Sequence, residues 1–436
     1  MDGRIDIPND GRRGSSSGRS DVERRLRPQD HERPLRQVER RTTADVGSLA
    51  RQWEAALTHE LPDAVELRHR LHAEPEVSGA EEQTARRVAH AIGGDAESVA
   101  GTGRILRIGP PGPAVAVRAE LDALPMTERT TAPWAASNGA MHACGHDVHL
   151  AAVVALARAA RRLHLPAGLV VVLQPREEVG PTGASDVVSS GVLRRHHARA
   201  IVGAHVQPLL PAGAVSADPG PVNAAVDELE ITIVGRGGHS AYPHLAVDPV
   251  PVLCTAVLAL QETVRSAIDP LRPVVLTLPQ IAGAGAPNVI AERASAAGTL
   301  RTLSLEDANL LHKRIERTVE GIAAGHGCHG EVVVRRGEPP LVNDGAAALA
   351  AHEVLAELGV PLAPFASLGS DDFASYGVAL PTLMLFVGTG EGPAGPMLHD
   401  PRYLPGDERV REVARALLAG WVGAVRATLL DHQPPR

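Results

Sequence analysis

Between Glu228 and Arg335 the chain carries a series of segments that can close on itself. Glu228–Val234 reads as a strand. Pro249–Ile268 reads as a helix with Leu253, Val257, Leu260 and Val264 on one face. Val274–Leu278 and Ala294–Leu300 read as two more strands. Ser304 with Asp307 suits a helix start, and Leu311, Ile315, Val319 and Ile322 line that helix. Glu331–Arg335 is the last strand. The order β-α-β-β-α-β is that of the ferredoxin-like split unit. A self-contained unit in mid-chain predicts an inserted second domain.

The rest of the chain has another rhythm. Leu49–Leu71 places apolar and charged residues at helical spacing, and His149–Leu163 is an alanine-rich helix. Val115–Val117, ending at Arg118, Leu169–Leu173 and Ala200–Ala204 are short apolar strands. Strands alternating with helices imply a parallel sheet with both faces covered. At 436 residues the chain exceeds one ordinary core. The expected division is a first domain over 45–222 and 337–436, with an inserted α+β domain over 223–336. Residues 1–44 hold 11 Arg and 8 acidic residues and little to bury, so they are expected to be disordered. A misassigned start codon or an Arg-rich docking tail would look the same.

Charge and composition exclude some partners. The net charge is −8, and the +3 of residues 1–44 leaves about −11 for the remainder. Phosphate backbones demand the opposite sign. Aromatic residues make up 2% of the chain, too few for a base-stacking surface. No apolar run approaches the ~20 residues of a bilayer span, and the N-terminus lacks the apolar stretch of a signal peptide. Three cysteines, Cys144, Cys254 and Cys328, do not make a disulfide framework. Together these features point to the cytoplasm, with no nucleic-acid or membrane partner.

Polar clusters then stand out against the strands. His142-Ala143-Cys144-Gly145-His146-Asp147-Val148-His149 places a thiol and an imidazole two residues apart, able to face one metal. A lone cysteine is more often a buried small hydrophobe, but here histidines and an aspartate surround it. Glu177-Glu178 follows the strand Leu169–Leu173. Open α/β sheets put their sites at that carboxyl edge. One carboxylate can bind metal while its neighbour handles protons. His205 stands just past Ala200–Ala204, and His399 follows the apolar run Leu383–Val387 and a glycine-rich loop. In the insert, Gly235–His244 combines flexible glycines with His239, which a tight turn with an exposed histidine would also explain.

These residues resemble the aminoacylase and carboxypeptidase G type of metallopeptidase, and within it the amidohydrolases that include hippurate hydrolase, indole-3-acetyl-amino-acid hydrolases and N-acetyl-diaminopimelate deacetylase. The resemblance runs from Leu61 to Val413 with the motifs in order: Arg68–Glu76, Arg118–Pro125, His142–Asp147, Glu177-Glu178, Gly203–His205, Gly237–His239, Asn288–Ile290, Gly298–Thr302, Ser370–Phe373 and Leu398-His399. It implies a metallopeptidase-type catalytic domain with a mostly parallel central sheet, and an inserted ferredoxin-like lid or dimerisation domain. It implies two divalent metal ions (zinc or manganese, with cobalt or nickel as options) held by Cys144, His146, Glu178, His205 and His399, with Cys144 bridging. By the same resemblance Glu177 is the general base, His239 stabilises the oxyanion, and Asn288 and Arg301 hold the substrate carboxylate. The expected activity is hydrolysis of an N-acyl amino acid or similar small amide, by a homodimer joined through the lid. A carboxypeptidase or dipeptidase on the same scaffold, or an inactive binding relative, are the rival readings. The chain departs from the family pattern at Asp400, Asp371, Val179–Thr182 and Ala291. These departures touch the substrate side and remove no proposed ligand.

Overall fold

The computed structural model describes residues 33–283 and 285–430. From Val46 onward they belong to one compact unit. In chain order the first elements are α1 (Arg33–Ala73), α2 (Glu82–Ile92), β1 (Ala96–Val99), β2 (Gly103–Ile108), β3 (Ala114–Glu120), α3 (His146–Ala160), β4 (Gly168–Gln174), α4 (Gly183–Ser189), α5 (Val192–Arg195), β5 (Ala198–Gln207), β6 (Val215–Ser216) and β7 (Gly220–Asn223). The inserted segment supplies β8 (Ala225–Val234), β9 (Gly238–His239), α6 (Pro249–Ala267), β10 (Val274–Ala282), β11 (Val289–Ile290), β12 (Arg293–Thr302), α7 (Leu305–Gly325) and β13 (His329–Arg336). The chain returns through β14 (Leu341–Asn343), α8 (Gly345–Glu357), β15 (Thr382–Gly388) and α9 (Glu408–Val425).

The large sheet has the order β1-β2-β4-β3-β5-β15-β6. Its four central strands run parallel, β2 and β6 pair antiparallel on either side of them, and β1 pairs antiparallel with β2 at the edge. Strand residues alternate between two cores, as the pleat requires. Val115, Val117 and Ala119 pack into one with Trp53, Leu156 and Trp421, while Ala114 and Ala116 pack into the other with Phe373 and Met384. Burial on both faces explains why the central strands read as unbroken apolar runs.

The insert forms its own four-stranded antiparallel sheet, β10-β12-β8-β13, with a separate core of Leu229, Ile231, Leu253, Leu260, Leu311 and Ile315. That order and the antiparallel pairing match the split unit expected from the sequence. Ser304 caps α7 by accepting from the backbone N–H groups of Glu306 and Asp307. The outgoing and returning chains pair side by side as β7 and β14, with Asn223 opposite Leu341.

Two expectations are corrected. The alanine-rich helix starts at His146, not His149, because Gly145 turns the chain at φ 82° just before it. An added Cβ at Gly145 would lie 2.5 Å from Val206 Cγ2, so the approach also demands glycine. His205 lies inside β5, paired with Phe386, rather than beyond its end. Of the segment 1–44, residues 1–32 lie outside the described residues. From Arg33 the backbone is helical, in keeping with a run rich in Arg and with Pro34 in the first turn. Among the described residues no helix is long and apolar enough to cross a membrane.

Arg68 ties three of these elements together. It is fully buried, and its Nε donates to Asp147 Oδ2 at 2.9 Å, Nη1 to Asp407 Oδ1 at 2.7 Å and Nη2 to the Pro405 carbonyl at 2.6 Å. Removing one partner of a buried ion pair strands the other, at a cost of about 3–5 kcal/mol. Arg68→Met is therefore expected to lower the unfolding free energy by about 3–5 kcal/mol, read as a lower denaturation midpoint. Arg68→Lys should recover only part of it, since an ammonium cannot reproduce the fork. Chemical unfolding of the three proteins side by side checks both points.

Candidate metal centre

The parallel strands bring their carboxyl ends to one edge. Glu120 at the end of β3 is level with Gln174 at the end of β4. Asp122 follows the first, and Glu177 and Glu178 follow the second. His205 comes from β5, and the loop after β15 carries His399. His399 adopts φ 67°, uncommon for a residue with a side chain, and its backbone N–H donates to the Ala143 carbonyl at 3.0 Å. A cavity of about 260 Å³ opens here, lined among others by Cys144, Glu177, Glu178, His205, Asp371 and His399.

Hydrogen bonds decide which imidazoles are free to ligate. His146 Nδ1 lies 2.8 Å from the Asp122 carbonyl and His205 Nδ1 lies 2.7 Å from the Val206 carbonyl. A carbonyl only accepts, so both rings carry their proton on Nδ1 and present a lone pair at Nε2. His149 is different. Its Nε2 accepts from the Val206 N–H at 3.0 Å, and its Nδ1 donates to Glu120 Oε2 at 3.0 Å. Both of its nitrogens are used, so it is a bracing residue despite its place beside Glu120, His146 and His205.

The free donor atoms converge. Cys144 Sγ is 3.5 Å from His205 Nε2. Ligand atoms of Cys144, His146 and Glu178 lie within 4.8 Å of one another. Glu178 Oε2 is 3.4 Å from His399 Nε2, and its Oε1 is 4.0 Å from His146 Nε2. His146 Nε2 and Glu178 Oε1 are buried with no hydrogen-bond partner among the described residues. Buried polar atoms left open in this way call for a partner. Thiolate, imidazole and carboxylate together form a donor set that suits a divalent cation. The five sequence-predicted ligands are thus brought to one place.

Electrostatics fit the same reading. Burial, with Glu178 and Glu177 close by, pushes the Cys144 thiol well up, so the thiolate calls for a neighbouring cation. Burial and the adjacent His149 push His205 down to about 4, leaving a neutral ring near pH 7. Burial opposes a charge on His146, but Glu120, Glu178 and Asp122 outweigh it and raise its pKa. Glu177 is displaced well above the usual carboxylate range by burial, then by Asp371 and Glu178. Its side chain is 12% exposed, toward the cavity, and makes no hydrogen bond among the described residues. A carboxyl with that poise can take and return a proton.

The residues of the insert are placed differently. His239 and Asn288 share one ribbon: His239 pairs with Val289, and the Ser240 N–H donates to the Asn288 carbonyl at 3.1 Å. Both are exposed, and neither lines the cavity. Arg301 on β12 donates from Nη1 to the Leu368 carbonyl at 2.9 Å, bracing the loop whose Ser367 and Gly369 do line it.

Some residues escaped sequence reasoning. Asp122 Oδ2 accepts from Ser78 Oγ at 2.7 Å and from the Glu178 N–H at 3.0 Å, while its carbonyl fixes His146. Arg118 is buried against Glu120, Asp371 and Asp372. The signal for Asp122, Arg118, Glu120, Asp371 and Asp372 was membership of the ordered motifs. Asn223 and Gln207 also line the cavity, and no motif marked them.

Comparison with known proteins agrees with this geometry. Residues 116–420 match the profile of the peptidase family M20/M25/M40. An N-acetylcysteine deacetylase of Bacillus subtilis is 34% identical over 336 residues, 74% of this chain and 88% of the relative. An N-acetyldiaminopimelate deacetylase of the same organism is 42% identical over 221 residues, 50% of this chain and 58% of the relative. A Bacillus subtilis protein described as a dinuclear metal-binding peptidase of the M20 family superposes with a TM-score of 0.74 at 30% identity, covering 85% of this chain and 100% of its own. The chain belongs to the peptidase family M20/M25/M40 and is a hydrolase of that class.

The Asp122 carboxylate holds the Glu178 backbone, so its loss should loosen the centre without removing a ligand, while the backbone carbonyl that fixes His146 stays in place. Asp122→Ala is expected to weaken divalent-metal affinity about 10–100-fold. Equilibrium dialysis with zinc or manganese measures this, and unchanged affinity would contradict the bracing role.

Proposed function

We propose that the chain hydrolyses the amide bond of N-acyl amino acids, with two divalent metal ions held by Cys144, His146, Glu178, His205 and His399. The observation that carries the reading is the pairing of open, buried ligand atoms on His146 and Glu178 with an unengaged Glu177 carboxyl at the same cavity. The names of the two deacetylases support an N-acyl substrate. Metal ions in such a site, when bound, polarise the amide carbonyl and supply a nucleophile at neutral pH. The ligand mix suits zinc or manganese, with cobalt or nickel as options.

Glu177 does the proton work. It accepts the proton released by the attacking water and holds it where burial and the neighbouring carboxylates favour the neutral acid. It then delivers that proton to the leaving nitrogen, which departs as an amine. Such a base and acid contributes about 10²–10⁴ in rate. Cys144 would help hold the metal ions in this reading, since its sulfur is near both His205 and the His146–Glu178 group.

The insert acts as lid and dimerisation domain. His239, as oxyanion donor, and Asn288, as a carboxylate contact, serve the site of a partner subunit. Their exposure and their absence from the lining of their own chain's cavity support this. Arg301 is assigned to the substrate carboxylate in this reading, which its contact to the Leu368 carbonyl beside the cavity-lining Gly369 supports.

Purified, metal-loaded protein should hydrolyse N-acetyl-, N-benzoyl- or indole-acetyl amino acids faster than dipeptides, and a panel led by dipeptides would sink the reading. Glu177→Gln should keep its metal and lose about 10²–10⁴ in turnover. Cys144→Ala should lose metal by elemental analysis. If His239 acts across a dimer, mixing Glu177→Gln with His239→Ala subunits should restore about a quarter of the wild-type sites. No recovery after subunit exchange would place His239 outside the partner's site.

A further inference from the structure

We infer that Asn223 is the acceptor that reads the N–H of the scissile amide, which makes the cavity selective for secondary amides. The inference rests on the amidohydrolase reading above. Asn223 ends β7 and lines the same cavity as Glu177, His205 and Asp371. It is only 7% exposed, and its Oδ1 is buried with no hydrogen-bond partner among the described residues. Its platform is rigid. β7 pairs with β14, the Ala224 N–H donates to the Gly369 carbonyl at 2.8 Å, and the Ser367 N–H donates to the Val222 carbonyl at 2.9 Å. A buried acceptor with nothing to accept, carried on a fixed backbone, is costly unless a ligand completes it.

The chemistry of the ligand narrows the choice. An ionised N-acyl amino acid with a simple side chain carries an acyl carbonyl and a carboxylate, both acceptors. Its one hydrogen-bond donor is the amide N–H. An orphaned acceptor in the cavity wall is therefore complementary to that single group. Binding the N–H at Asn223 also fixes the plane of the amide. As the carbonyl carbon becomes tetrahedral, the nitrogen lone pair develops away from the N–H, into the cavity that Glu177 shares. The C–N bond then breaks with its electron pair on nitrogen, and the proton that Glu177 took from water goes to that pair. Asn223 gives and receives no proton.

The test compares an N-acetyl amino acid with its ester counterpart, an α-acetoxy acid of the same side chain, which lacks the N–H. Asn223→Ala and the better-filling Asn223→Leu are expected to lower kcat/KM on the amide about tenfold or more, and to leave the ester within about twofold of wild type. Where the ester turns over too slowly, its inhibition constant against the amide is read instead. Asn223→Asp retains an acceptor and should keep the wild-type ratio of amide to ester, a rescue that a merely structural role would not show. Metal content and unfolding midpoint confirm that each variant is intact, and the Asp variant carries the test should the other two unfold. Equal losses on amide and ester, or no loss on the amide, overturn the inference. A wild-type protein that holds metal yet hydrolyses neither compound overturns the amidohydrolase reading itself, which is a different result.

Discussion

Negative charge packed into a buried space is the constraint that the rest of the site answers. Glu120, Asp122, Glu178, Asp371 and Asp372 are buried or nearly so, and Glu177 joins them at the cavity. Like charges at such spacing repel strongly where water is excluded. Arg118 is the chain's own reply. It is 1% exposed, donates from Nε to Gln174 Oε1 at 2.9 Å, and pairs with Glu120, Asp371 and Asp372. Burial still pushes Asp372 up to about 7 despite that guanidinium. Burial works against the Glu120 carboxylate too, but Arg118, His149 and His146 outweigh it and hold its pKa well below the ordinary range. On the far side of the cluster the partners that favour the Glu178 carboxylate are imidazoles, those of His399, His146 and His205. That asymmetry is where cations are needed.

The same edge of the sheet also sorts buried histidines into different tasks. His146, His149 and His205 lie close together, with ring centroids 4.7–5.9 Å apart. Backbone groups make the distinction. Carbonyls of Asp122 and Val206 take the Nδ1 protons of His146 and His205, while the Val206 N–H occupies the Nε2 of His149. Val206 thus serves two rings at once, from one peptide plane on each side of the residue. Proximity alone would count three ligands where the hydrogen bonds leave two.

Much of this was legible in the sequence, for physical reasons. The split unit could be read because its helices and strands alternate with different periods, and Ser304 announces the start of α7. The central strands were legible as apolar runs, though their ends were not. β5 continues through His205 to Gln207 because pairing with β15, far along the chain, holds a polar residue in strand geometry. The Cys144, His146, Glu178, His205 and His399 set was legible because each stands in an ordered motif. Roles that depend on partners distant in sequence were hidden. Arg118 meets Asp371 and Asp372, and Asn223 becomes a wall of the cavity only when β14 and the loop at Gly369 close beside it. His239 and Asn288 show the converse. Their motifs were visible, but one chain does not bring them to the cavity.

The paired strands β7 and β14 have a consequence for how such a chain can be rearranged. The insert leaves at Asn223 and returns at Leu341, and these two residues are opposite one another in an antiparallel ribbon. Opposed Cα atoms in such a ribbon are only about 4.5–5.5 Å apart. A short turn could therefore replace the whole excursion without re-threading any strand of the large sheet. The smaller unit is thereby joined through one doorway, where it can be exchanged for another while the parallel strands of the large sheet keep their order.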